Sequence, residues 1–121
     1  MKKKKESEDF SKSKHKNTHH IIPTSREGPR KEWNEYYWEI KKHQEKHQAW
    51  HQLFDNRLPS EAISRIRKKW TLADGKLDTE KLKKRKLSAW KRLFNDWLPE
   101  QAIRFIEEEF LPAEIRFLSS K

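Results

Sequence analysis

The sequence predicts an α+β fold in which a small β-rich segment precedes a helical half. Residues 18–23 are β-branched and end in a proline, which is typical of a strand that leads into a loop. Tyr36, Trp38 and Ile40 recur at period two, which predicts a second strand over residues 33–41 with one buried face. From residue 43 onward the apolar spacing changes to three and four, which is the spacing of a helix face.

The helical half begins with a helix expected over residues 43–56, because His47, Trp50, His51 and Phe54 fall on one face. Turn signals and prolines divide the rest of the chain. Further helices are expected over residues 60–70, from an N-cap at Asp78 to about Asn95, from Pro99 to about Phe110, and in a short form from Pro112.

The second half contains an internal repeat. Residues 48–66 read QAWHQLFDNRLPSEAISRI and residues 88–106 read SAWKRLFNDWLPEQAIRFI, at an offset of forty without a gap. The shared positions have packing character, which predicts one helical hairpin used twice, the two copies packing on each other. The pairs are Trp50 with Trp90, Leu53 with Leu93, Phe54 with Phe94, Leu58 with Leu98, Pro59 with Pro99, Ala62 with Ala102, Ile63 with Ile103, and Ile66 with Ile106.

Composition indicates a nucleic-acid partner. The chain has 121 residues, of which 29 are Lys or Arg, and a formal net charge of +10, whereas only 32% of residues are hydrophobic. Such a balance favours a polyanion such as DNA or, as the alternative, RNA. Residues 1–17 are expected to form a flexible basic arm. The basic run Lys83, Lys84, Arg85 and Lys86 is interpreted as a nucleic-acid-binding surface, the alternative being a solvated helix face.

Other functional classes are disfavoured. The absence of cysteine excludes disulfides and thiolate metal sites. No apolar run approaches the length that spans a membrane, and no apolar segment follows the N-terminal lysines. We therefore expect a cytoplasmic, intracellular protein with no membrane partner.

Five of the six histidines lie between residues 19 and 51. On a helix, His47 and His51 are one turn apart and project from one face, within reach of a single ion. His47 aligns with Leu87 and His51 with Lys91, so the hairpin itself needs no histidine at either position. A metal site and ordinary surface or core histidines both remain open on this pattern.

The motifs in this stretch resemble those of the HNH, or ββα-metal, endonucleases. The resemblance is carried by HHIIPTSR at residues 19–26, by Asn34, and by WHQLF at residues 50–54 with His47 in front of it. It covers about residues 18–56, a third of the chain. It implies a small ββα-metal core at residues 18–57, followed by the helical half at residues 58–121.

The resemblance also implies roles for individual residues. His19, His47 and His51 would bind one divalent metal ion, which can be Zn, Mg, Mn or Ni, and His20 would activate water as a general base. Asn34 would brace the loop that holds His20. A metal in such a site polarises the scissile phosphate and stabilises the leaving oxygen.

Arg26 would hold a phosphate by a two-pronged contact. The family loop usually reads Ser-Arg-Gly-Gly, whereas Glu27 replaces the first of those glycines here. An acidic residue near a phosphate would weaken substrate binding.

Two alternatives stay open. A second register would use His43 in the metal-binding pair, because it lies four residues before His47. The leading function is metal-dependent endonuclease cleavage of nucleic acid. The alternative is a non-catalytic basic module that binds nucleic acid or ribonucleoprotein and has a structural zinc.

Overall fold

The computed structural model describes residues 19–38 and 43–120, with the side chains of residues 43 and 44 excepted. Strands β1 (His19–His20) and β2 (Glu35–Tyr36) form an antiparallel pair in which His19 lies opposite Tyr36 and His20 opposite Glu35. Two short 3₁₀ turns, Thr24–Arg26 and Glu32–Asn34, lie in the connection between the strands.

The second strand is shorter at its start than the sequence predicted. Trp33 belongs to a 3₁₀ turn, and the described strand pairing is limited to residues 35–36. Residues 39–41, where the predicted strand would end, lie outside the described part of the chain. Tyr36 and Trp38, two of the aromatic residues at period two, still pack on the core. In the described residues the alternation therefore reflects burial of one face and not a long run of strand pairing.

The helices agree closely with the predicted boundaries. Pro59 and Pro99 stand at the first position of their helices, where the missing N–H costs nothing. Asp78 caps its helix as predicted, because its Oδ1 accepts from the backbone N–H of Lys81 at 3.1 Å. The five helices are α1 (His43–Phe54), α2 (Pro59–Lys69), α3 (Thr79–Phe94), α4 (Pro99–Glu109) and α5 (Leu111–Ser119).

Helix α3 contains a kink that the sequence did not predict. Lys83 has φ 64° and ψ 179°, a conformation unusual for a residue with a side chain. Neither glycine nor proline stands there, so the sequence offers no local sign of the break. Among the described helices, none has the length and apolar character that a membrane crossing requires.

The two predicted hairpins pack on each other, as the repeat indicated. Helix α1 contacts α3, and α2 contacts α4. Arg92 donates a hydrogen bond to Gln52, its own counterpart forty residues earlier. Contact between equivalent positions is the mark of an approximate two-fold relation between the copies.

The repeat extends to details of the backbone. Asp55 and Asn95 both have positive φ, at 54° and 61°, directly after the first helix of each hairpin. The second helix of each hairpin then begins with the same cap, in which a side chain three residues on accepts from a backbone N–H. These acceptors are Glu61 for Leu58 N at 2.8 Å and Gln101 for Leu98 N at 2.7 Å.

One hydrophobic core extends across the described chain. It runs from Ile21 and Ile22 after β1 to Phe117 in α5. Seven of the eight repeat pairs are buried in both copies, whereas Leu98 is 51% exposed. Residues on both sides of position 58 belong to this core. The predicted division into a ββα unit at residues 18–57 and a helical unit at residues 58–121 therefore stays a prediction. The predicted basic arm at residues 1–17 lies outside the described residues.

Candidate metal centre

Three histidines converge where β1 crosses α1. His19 comes from the strand, and His47 and His51 project from one face of the helix, with ring centroids 4.6 Å apart. Each offers a ligand nitrogen, and these nitrogens all lie within 4.8 Å of one another. His19 is 2% exposed, whereas His51 is exposed. The group can hold a metal ion, with its deep side at the strand and its open side at the helix surface.

Aromatic rings surround the deep side of this group. The His19 ring centroid is 5.2 Å from Trp38, 5.1 Å from Trp50 and 5.4 Å from Phe110. Phe110 follows α4, so the second hairpin contributes to the wall of the site. An apolar wall excludes water behind the ligands and restricts the imidazole orientations.

His20 points away from the three-histidine group, because neighbouring residues on a strand face opposite sides. Its side chain is 27% exposed, and its Nε2 lies 3.9 Å from the Glu35 carboxylate on the paired strand. Tyr37 Oη donates to the other oxygen of Glu35 at 3.0 Å. The strand pairing thus places an oriented carboxylate beside His20. Sequence reasoning did not identify Glu35, although its place directly after Asn34 was the available signal.

Asn34 is fully buried and ties the segment after His20 to the second strand. Its Oδ1 accepts from Ile22 N at 2.7 Å, and its Nδ2 donates to the carbonyls of Ile22 at 3.0 Å and Pro29 at 3.0 Å. Its own carbonyl accepts from Ile21 N at 2.9 Å. Hydrogen bonds from Asn34 to the backbone of this loop are what the family resemblance implied; a part for Asn34 in catalysis stays a prediction.

The loop after β1 has two unusual backbone positions. A Cβ added at Gly28 would lie 1.8 Å from the Ile22 carbonyl oxygen, so only glycine fits there. Glu27 has φ 67° and ψ 25°, in the left-handed region. This explains in backbone terms why a glycine suits position 27 of the loop, and it shows that Glu27 is accommodated at some cost.

Arg26 makes its two-pronged contact with a carboxylate of the chain. Its two terminal nitrogens lie 3.0 and 3.2 Å from the oxygens of Glu61 in α2. The hydrogen bond from Arg26 lowers the pKa of Glu61, and the reverse contact raises the pKa of Arg26. A phosphate contact by Arg26 stays a prediction, and it would require exchange of this ion pair.

The predicted basic run is spread around α3 by the helix and its kink. Lys83, Lys84 and Arg85 are exposed, whereas Lys86 is half-buried with its ammonium 5.9 Å from the Trp70 ring centroid. Lys84 instead lines a groove between α1 and α3 with Lys91. Binding of nucleic acid by these residues stays a prediction.

The competing register for the metal-binding pair involves His43. His43 is the first residue of α1, and its place at the start of the helix is the reason why the pair of His47 and His51 was preferred. The side chain of His43 lies outside the described part of the chain. His47 and His51 lie within the helix and share its face with the strand histidine.

Comparison with known proteins adds no independent support for the resemblance of residues 18–56. No family model, curated protein or solved structure matches this chain.

Proposed function

We propose that the protein is a metal-dependent phosphodiester hydrolase that cleaves nucleic acid, with DNA as the preferred substrate. The observation that supports this most directly is the convergence of His19, His47 and His51 at a site that is buried on one side and exposed on the other. Three protein ligands leave one position of a tetrahedral ion open, which is the arrangement of catalytic rather than structural zinc sites.

The donor set narrows the choice of metal. Three imidazole nitrogens favour Zn²⁺ or Ni²⁺ over Mg²⁺, which prefers oxygen ligands. The three ligand nitrogens lie within 4.8 Å of one another, so a single ion of this kind could be reached by all three.

The neighbouring residues suit a hydrolytic role. A divalent ion held by the three histidines would supply Lewis-acid stabilisation of the scissile phosphate and its leaving oxygen. His20 would take a proton from the attacking water, since it lies beside the ligand His19 and reaches solvent. Glu35 would orient the His20 ring, and Asn34 would fix the backbone after it.

A second candidate is a non-catalytic nucleic-acid-binding module with a structural metal. The observation that favours it is the engagement of Arg26 by Glu61, which occupies the side chain expected to hold the phosphate. The two functions differ in one respect that is easily measured: only the hydrolase requires His20.

Plasmid nicking tests the proposal. The parent and His20→Ala are purified identically and assayed with zinc, nickel, manganese and magnesium, so that a contaminating nuclease would appear in both preparations. We expect the parent to nick the plasmid and the variant to be about 10²- to 10⁴-fold slower, with metal binding retained. Equal rates would exclude His20 as the base, and an inactive parent with every metal would favour the binding module.

A further inference from the structure

A group of cationic side chains on this face of the protein includes two that lie over the buried indole of Trp70. Arg65 and Lys86 lie over this ring, with Cζ and Nζ at 5.6 and 5.9 Å from its centroid. Three more cations are near enough to Lys86 to lower its pKa, and one of them, Arg57, also lowers the pKa of Arg65. We call this group the Trp70 cluster; its members are Arg57, Arg65, Lys69, Lys83 and Lys86.

The members of the Trp70 cluster repel one another. Burial lowers the pKa of Lys86, and the charges of Arg65, Arg57, Lys69 and Lys83 lower it further. Burial and the charge of Arg57 likewise lower the pKa of Arg65. Within the described chain, every charge that shifts these two groups is a cation. Such an arrangement costs stability in the free protein and is relieved when an anion binds.

The internal repeat shows that the fold does not need cations at these positions. Forty residues on, Trp97 stands for Arg57 and Phe105 for Arg65. The rings of Trp97 and Phe105 pack with centroids 6.0 Å apart. The same hairpin is therefore stable with an aromatic contact where the first copy places two arginines. The difference between the copies points to a ligand on the first one.

A carboxylate beside this surface, that of Glu61, is already engaged by another cation. Glu61 interacts electrostatically with Arg57, but both of its oxygens accept hydrogen bonds from Arg26, the loop residue that follows β1. Arg57 also lies three residues after α1, the helix that carries His47 and His51. The Trp70 cluster thus begins at the end of the helix that carries the metal centre and continues over α2 and α3.

We propose that the Trp70 cluster binds the phosphodiester backbone of duplex DNA beyond the scissile bond. Adjacent phosphates along a strand are spaced regularly, and arginine and lysine neutralise them without reading sequence. The choice of DNA rests on the proposed function, whereas the requirement for a polyanion rests on the cluster alone.

Binding without cleavage tests this surface. A fluorescein-labelled 20-base-pair duplex is titrated with the full chain in EDTA, so that no metal-dependent cleavage occurs, and anisotropy is followed from low to high salt. The test variant is Arg57→Gln/Arg65→Gln. The matched control is Arg67→Gln/Arg104→Gln, which removes two exposed arginines outside the cluster.

We expect the test variant to bind the duplex more weakly and with a smaller dependence on salt. The slope of log affinity against log salt should become shallower by about 1.8, since each of the two lost phosphate contacts contributes about 0.9. The control should lose much less. Equal losses in the two variants would mean diffuse attraction and would overturn the proposal. Loss of binding to phosphatidylserine vesicles, with duplex binding unchanged, would also overturn it and assign the surface to membranes.

A second variant separates binding from folding. Arg57 donates to the carbonyl of Phe54 at 3.3 Å, so its removal could loosen the end of α1. Arg57→Trp/Arg65→Phe copies the aromatic pair of the second hairpin, so it should melt near the parent temperature and still lose the same salt slope. Parent-like duplex binding by this folded variant would refute the proposal. Because no metal is present, the outcome is independent of whether the parent nicks DNA.

Discussion

Replacement of His51 by alanine should remove most of the stabilisation that a metal gives this protein. His51 is exposed and belongs to the group of three ligand nitrogens within 4.8 Å of one another. An ion that binds only the folded chain stabilises it by about 2.7 kcal/mol when present at a hundred times its dissociation constant. For a domain of about this size, that corresponds to a rise in melting temperature of roughly 10–20 °C.

The variant His51→Ala keeps two ligands. If the affinity of the variant for the metal is a hundredfold lower, the same metal concentration stabilises the fold by only about 0.4 kcal/mol. The melting temperature would then rise by roughly 2–3 °C. The assay is thermal unfolding followed by circular dichroism, with and without zinc. The matched control is Lys91→Ala, because Lys91 is the exposed counterpart of His51 on α3. Its zinc-dependent shift should equal that of the parent.

Two results would contradict the assignment of His51 as a metal ligand. A full zinc-dependent shift in His51→Ala would show that His51 is not a ligand. If His43→Ala loses the shift instead, the pair is His43 and His47, and the register preferred here is wrong.

Three further predictions concern the fold and its ion pairs. Trp90 is 1% exposed, so Trp90→Ala should cost about 3–5 kcal/mol, and an unchanged melting temperature would remove Trp90 from the core. Gly28→Ala should destabilise by at least about 1–3 kcal/mol, since its Cβ would overlap main-chain atoms, and a parent-like urea midpoint would contradict that close approach. Glu61→Gln should retain the helix cap, as Gln101 does, and lose only the exposed ion pair with Arg26, at a cost below about 1 kcal/mol at neutral pH. Folding lowers the pKa of Glu61 below its ordinary value of 4.5. The difference in stability between the parent and Glu61→Gln should therefore be present above pH 4.5 and vanish as the pH falls below the pKa of Glu61 in the folded protein. A stability difference that stays constant in acid would contradict the ion-pair origin.

The helical half was predictable because its signals are local. Prolines at the first helical position, an aspartate cap and an ungapped offset of forty predicted the helix boundaries to within two residues. The repeat also identified most buried positions, because a residue shared by two copies of a hairpin is retained for packing. Asp55 and Asn95, both with positive φ, show that even the turn geometry follows this duplication.

The features that escaped prediction depend on distant contacts or on one uncommon dihedral. Arg26 meets Glu61 across thirty-five residues, and Phe110 reaches His19 from the far end of the chain. Nothing in the local sequence marks the kink at Lys83. The second strand was predicted to start too early, because residues 33–34 belong to a 3₁₀ turn; Tyr36 and Trp38 pack on the core although the described strand pairing is limited to residues 35–36.

The group of three histidines that could hold a metal was partly predictable for the same reasons. The spacing of His47 and His51 places both on one helix face whatever the rest of the chain does. That the strand residue His19 meets them depends on the tertiary fold, and the structure brings the three together. The role of His20 rests on its place beside His19 and on solvent access, and it stays a prediction until activity is measured.

X-ray absorption at the zinc edge tests whether the three histidines bind a metal ion. One equivalent of zinc is added to the full chain, and the nearest shell of atoms around the metal is counted. We expect three imidazole nitrogens at about 2.0–2.1 Å and one exchangeable oxygen in the fourth position, with one nitrogen lost in His51→Ala. Four protein ligands would make the site a closed structural one, and zinc surrounded only by water would mean that the three histidines hold no metal.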